Sequence, residues 1–196
     1  LHGRFNAFNV TAAVVAVTGL GFPFTEVANA ASHLLPVDGR MQEVKGGSDI
    51  RVVVDYAHTP DALSSALSAL KQSCTGALWV VFGCGGDRDA GKRPEMGRIA
   101  DSLADQLVVT NDNPRSESPV MIAEDILVGI TGSACHVELD RGAAIRHAVL
   151  NARSGDTVIV AGKGHENYQL VGKNKLDFSD VSSAAEALRE REAAHA

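Results

Sequence analysis

IRVVVDYAHTPDALSSALSALKQ, residues 50–72, passes from a β-branched run into a helical pattern across a short polar break. The run predicts a buried strand over 50–57, and the text after it predicts a helix. Thr59 is placed to cap that helix, Pro60 suits its first position, and Asp61 complements the positive end of the helix dipole. Working outward, the same alternation recurs. ALWVVFG (77–83), QLVVT (106–110), CHVELD (135–140) and DTVIVAG (156–162) read as strands. RPEMGRIADSLA, residues 119–130, RGAAIRHAVLNAR and VSSAAEALREREAA read as helices between and after them. YQLVGKNKLDFSD alternates around Gly172-Lys173-Asn174, which predicts an antiparallel hairpin or edge strand. Alternation of this kind defines an α/β protein with a mostly parallel sheet and helices on both faces.

Upstream the text changes character. Residues 6–19 crowd Ala and Val before a Gly19-Leu20-Gly21 stop, and 23–35 carry Phe24, Val27, Ala28, Ala31 and Leu34-Leu35 on one helical stripe. PVDGRMQEV then has turn chemistry, placing a domain boundary near Pro36, with residues 1–35 belonging to one unit and 36–196 to another. The chain opens without Met, in apolar helix-like text, which reads as a cut inside a longer polypeptide.

Composition narrows the function classes. The 196 residues carry a net charge of −6 with no basic run, which argues against a nucleic-acid or membrane surface. Cys74, Cys84 and Cys135 are odd in number and lack CxxC spacing, so they read as reduced thiols of a cytoplasmic protein. No apolar run approaches a bilayer span, and a monomer is expected.

In parallel sheets, ligands bind beyond the carboxyl ends of the strands. Four loops leave strands there: DYAHTP, GCGGDRDAGKRP, TNDNPRSES and AGKGHENYQ. Arg88, Lys92, Arg93, Arg115 and Lys163 supply positive charge to them, and Asp87, Asp89, Asp112 and Glu166 negative charge. Arginine holds a carboxylate bidentately and a carboxylate holds an ammonium, so a rim of both signs fits a zwitterion better than a polyphosphate. GGDRDAGKRP superficially has the frame of a phosphate-binding P-loop. However, Arg93 stands where that motif needs Ser or Thr, Pro94 lacks an N–H, and Asp87 and Asp89 would repel phosphate. His165-Glu166 has no second His at zinc-protease spacing, and Cys84 has no His partner in any motif.

LHGRFNAFNVTAA, DGRMQ, DYAHTPDAL, FGCGGDRDAGKRPEMG, DNPR and AGKGHE together resemble the successive landmarks of the Mur ligase family, over essentially the whole chain. DNPR is most similar to the branch that adds meso-2,6-diaminopimelate to UDP-N-acetylmuramoyl-L-alanyl-D-glutamate. The resemblance implies the last two helices of a central ATPase domain followed by a Rossmann-like domain that receives the amino acid. It implies ATP and Mg2+ as requirements, with the magnesium ligands and the true P-loop outside this chain. It further implies amino-acid contacts from Arg88, Asp112, Asn113, Pro114, Arg115, Gly162 and Glu166. ATP contacts are implied for Asn9, Arg40, Asp55 and His58, with Asn6 and Tyr56 as weaker candidates. Read without the family, Asn6 and Asn9 are helix-capping residues and Arg40 a solvated turn charge. A lysine-adding or folate-related ligase is the neighbouring alternative, and Arg115 tells against lysine, which has no second carboxylate to pair. A stand-alone amino-acid-binding module is the alternative from another class.

Overall fold

The computed structural model describes residues 4–35, 37–46, 49–132 and 134–195, so the expected boundary at Pro36 lies outside the described residues, as do Leu1, His2 and Gly3. Two helices, α1 (Arg4–Gly19) and α2 (Phe24–Ser32), come first and pack on each other. Strands β1 (Gln42–Glu43) and β2 (Arg51–Asp55) follow, then α3 (Pro60–Lys71), β3 (Leu78–Phe82) and α4 (Lys92–Leu103). Next are β4 (Gln106–Val109), α5 (Pro119–Leu127), β5 (Cys135–Val137), α6 (Arg141–Asn151) and β6 (Thr157–Ala161). The hairpin β7 (Tyr168–Val171) and β8 (Asn174–Asp177) leads into α7 (Asp180–His195). No helix among the described residues is long and apolar enough to cross a membrane.

The main sheet runs β1-β2-β6-β3-β4-β5. All neighbours are parallel except β1, which pairs antiparallel with β2 through Gln42 opposite Val54. Strand periodicity sends alternate residues to opposite faces. Val53, Val80, Phe82, Val109 and Ile159 therefore meet Leu63, Leu67, Met96 and Ile126 on the α3–α4–α5 side. Val52, Val54, Val81, Val108, Val158 and Val160 meet Ala144, Ile145, Val149 and Leu188 on the α6–α7 side.

The decisive stretch folds as its text dictates. The Thr59 hydroxyl accepts a hydrogen bond from the Ala62 N–H at 3.4 Å, and Pro60 opens α3. Two details differ from the sequence expectation. The text read as a turn contributes the antiparallel edge strand β1, whereas the predicted hairpin forms a separate two-stranded sheet. β5 also stops at Val137, short of residue 140, because Asp140 turns to cap α6 through the Ala143 N–H at 2.9 Å.

Candidate functional site

The four loops quoted above converge beyond the carboxyl ends of β2, β3, β4 and β6 on one cavity of about 510 Å3. Tyr56 and His58, Gly83 to Gly85 with Arg88, Asp112, Asn113 and Arg115, and Gly162 with Glu166 all line it, and Tyr168 of the hairpin closes one side. Its size suits a small molecule.

GGDRDAGKRP is built for contact with the neighbouring loop. A Cβ on Gly86 would stand 2.0 Å from the Pro114 carbonyl oxygen, so only glycine lets the two backbones approach this closely. The Gly86 N–H donates to the Asn113 carbonyl at 2.9 Å, and Arg115 Nη1 returns a bond to the Gly86 carbonyl at 2.8 Å. Asp87 accepts from Ser116 Oγ at 2.6 Å and from its N–H at 3.2 Å, and these bonds hold its carboxyl below the usual range. Arg93, expected on the rim, is instead buried beneath it. Its guanidinium grips Glu117 at 2.8 Å and Asp125 at 2.9 Å, clamping α4 to α5. Lys92 Nζ donates to the His58 carbonyl at 2.7 Å, joining a third loop to the group. Cys84 is buried against Met96, and desolvation pushes its thiol up to about 12, which leaves it unreactive.

Asn113 is the hub of the remaining wall. Its Oδ1 accepts from Lys163 Nζ at 3.0 Å and from the Leu170 N–H at 2.9 Å, while its Nδ2 donates to Glu166 Oε2 at 3.0 Å. Gln169 Nε2 donates to the Asp112 carbonyl at 2.8 Å, and the Arg115 N–H to the Leu170 carbonyl at 3.0 Å. The hairpin thus holds the loop with Arg115 at φ 51°, a conformation that few non-glycine residues adopt. The buried Asp112 carboxylate has no hydrogen-bond partner among the described residues, and it lies where a Cβ on Gly162 would be 2.7 Å from its Oδ2. Arg115 forms no ion pair among the described residues, spending Nη1 on the Gly86 and Asn113 carbonyls. Among the described residues, Arg88 hydrogen-bonds only the Asp87 carbonyl, at 3.0 Å. The cavity therefore presents, besides Asp112 and Glu166, two arginines that form no salt bridge among the described residues and only act at longer range on Asp87.

The residues assigned to ATP separate in space. Arg40 lies 4.6 Å over the Tyr56 ring, which His58 meets edge-on at 4.5 Å and His165 at 5.4 Å, forming a cationic and aromatic cluster beside the cavity mouth. Asp55 lies outside the cavity lining. Its Oδ2 and Oδ1 accept the Met41 and Ala57 N–H groups at 2.7 and 2.8 Å, and burial raises its pKa despite those bonds. Asn9 is exposed on α1, away from the cavity lining.

Arg141 escaped the sequence reading because nothing marks it off from an exposed helical arginine. It is buried, pairs bidentately with Asp180 at 2.7 and 2.8 Å, and donates to the Asn111 and Ala161 carbonyls. These bonds fix the ends of β4 and β6 directly before Asp112 and Gly162.

A polar cavity of both signs at the carboxyl rim of a mostly parallel sheet lies where such sheets bind ligands, and its charges suit a small charged one. Residues 39–164 match the family described as Mur ligase, glutamate ligase domain, and the chain belongs to the Mur ligase family. It is 50% identical over 189 residues to a UDP-N-acetylmuramoyl-L-alanyl-D-glutamate--2,6-diaminopimelate ligase of Vibrio vulnificus, covering 96% of this chain and 38% of that protein. A protein of the same name from Thermosynechococcus vestitus is 52% identical over 194 residues, covering 97% of this chain and 39% of the other. A solved structure of such a ligase superposes with a TM-score of 0.77 at 42% identity, over 100% of this chain and 40% of that one. The chain thus spans about two fifths of the length of these relatives.

Proposed function

We propose that the chain is the amino-acid-receiving part of an ATP-dependent ligase that joins meso-2,6-diaminopimelate to UDP-N-acetylmuramoyl-L-alanyl-D-glutamate. The observation that carries this reading is the Arg115 guanidinium, with no salt-bridge partner among the described residues, in the same cavity as Asp112 and Glu166. Diaminopimelate has two ammonium and two carboxylate groups, and a cavity of both signs can pair with each kind. Arg88 and Arg115 face carboxylates, while Glu166 and Asp112 face the ammonium that does not react. The names of the relatives support the same assignment.

In this reading residues 1–35 close a central ATPase domain and 36–196 form the acceptor domain. ATP transfers its terminal phosphoryl group to the side-chain carboxylate of D-glutamate, giving an acyl phosphate and ADP. The unprotonated amine attacks the acyl carbon, the C–O bond to phosphate breaks, and an amide forms with loss of one proton. The part played here is to fix the amine by its charged neighbours, which lowers the entropic barrier to attack. Arg40, Tyr56 and His58 are set to meet the nucleotide from the acceptor side, and Asn9 from α1. Asp55 acts one step back, by holding the turn that carries Arg40. No three His, Cys, Asp or Glu side chains among the described residues could jointly hold a metal ion, so no step is assigned to Mg2+ on this chain.

Calorimetric titration of the protein with meso-diaminopimelate and with lysine tests the assignment. Tighter binding of diaminopimelate is expected, and equal or tighter binding of lysine would overturn it.

A further inference from the structure

Lys163 is a fully buried member of the charged network to which the proposed function gives no task. Its side chain is 0% exposed, beneath the cavity wall. Its ammonium donates to Asn113 Oδ1 at 3.0 Å and pairs with Glu166 Oε2 at 3.2 Å. It also lies 5.6 Å from the centre of the Tyr168 ring. Three wall residues from two loops and the hairpin therefore share one buried cation. A buried lysine is costly unless its charge has work nearby, and packing alone would be served by an apolar chain of the same length.

The geometry points to Lys163 as a positioning residue that sets the cavity's preference for a zwitterion with two carboxylates over a cation with one; this rests on the function proposed above. Two consequences of its charge support the assignment. First, together with the Leu170 N–H it occupies Asn113 Oδ1, so that Nδ2 faces Glu166 and holds that carboxylate against the wall. Second, it offsets one of the two acids, Asp112 and Glu166, that face the ligand. Without it, Glu166 would lose its paired cation and the cavity, still carrying Arg88, Arg115 and the nearby Arg141, would be one unit more negative. Lysine carries one net positive charge and diaminopimelate none, so the loss penalises the ligand with the additional carboxylate. At an effective dielectric of about 20, a unit charge some 8–10 Å away changes relative affinity by roughly tenfold or more.

The test uses the complete ligase that carries this chain, assayed with each amino acid in turn. For Lys163→Met the ratio of kcat/KM for diaminopimelate over lysine should fall about tenfold, mostly through the KM for diaminopimelate, with the KM for ATP unchanged. Lys163→Gln, which keeps a donor for Asn113 but not the charge, should show the same fall and serves if the methionine variant does not fold. An unchanged ratio, including equal losses for both substrates, would make the lysine purely structural and overturn the inference while leaving the function intact. A wild-type ligase that joins neither amino acid would instead overturn the function, and this inference with it.

Discussion

Arg115 combines an unusual backbone with an unspent charge. Its φ of 51° is held by bonds to Leu170 and Gly172 that involve only its main chain. The side chain gives two bonds to backbone carbonyls through Nη1, and in the proposed function its remaining donors meet a carboxylate of the ligand. Replacing it by alanine therefore leaves the strained backbone and its bonds in place. Hydrogen bonds to charged groups contribute about 1.5–3 kcal/mol each, so Arg115→Ala should weaken diaminopimelate binding roughly tenfold to a hundredfold. Lysine, with one carboxylate fewer, should lose less. Paired calorimetric titrations with an accompanying thermal melt check this, and a variant that kept full selectivity would remove Arg115 from the role. Arg93 shows how far a neighbouring arginine can differ. It supplies the same charge from the first turn of α4, at the end of the adjoining loop, but it faces Glu117 and Asp125 and is spent on structure.

Helices α6 and α7 are joined below the site by Arg141 and Asp180, both fully buried. The pair reaches across to the Asn111 and Ala161 carbonyls, so its loss propagates to the ends of two strands. Removing one partner of a buried pair strands the other charge, at a cost of about 3–5 kcal/mol. Arg141→Met should destabilise the protein by that order in urea denaturation, and Arg141→Met with Asp180→Leu by less. If the double variant is no better than the single, stranded charge is not the cause. Elements of this kind mark the limit of what the text discloses. The strands and helices were legible because β-branched runs and capped helical stretches write their periodicity locally, as Thr59 and Pro60 do for α3. That the four loops meet at one cavity was legible because a parallel sheet sends the loops after its strands to one rim. Arg141 was not, since a buried arginine and a solvated one have identical neighbours in sequence. Nor was the inward turn of Arg93, decided by Glu117 and Asp125, which come 24 and 32 residues later. β1 was missed for a similar reason: two residues carry no period, and it is fixed by pairing with β2 and by Asp55 holding the Met41 N–H.

At the scale of the molecule, the chain divides into a sheet domain that packs its own core on both faces and a helical pair that does not. The helices α1 and α2 enclose an apolar groove of about 410 Å3 lined by Val10, Val14, Val17, Phe22, Val27 and Leu34. Leu20, Phe24 and Leu35 are also exposed. An exposed apolar surface of this kind suits a helix pair that belongs to a larger core. The polar cavity is different in kind, because its wall is already braced within the sheet domain by Arg93, Asn113 and Lys163. Amino-acid binding and ligation should therefore part company in this chain. In the function proposed above the sheet domain holds the groups that position diaminopimelate, whereas the GGDRDAGKRP loop packs against the DNPR loop and no cluster of acids among the described residues can hold a metal ion. The chain by itself should bind diaminopimelate but form no amide from ATP, the nucleotide dipeptide and diaminopimelate. Joining it to the remainder of the ligase should restore product formation. Measuring phosphate release and amide product side by side for the two proteins decides the matter. Appreciable turnover by the chain alone would show that the groups needed for phosphoryl transfer lie within it and that the division of labour proposed here is wrong.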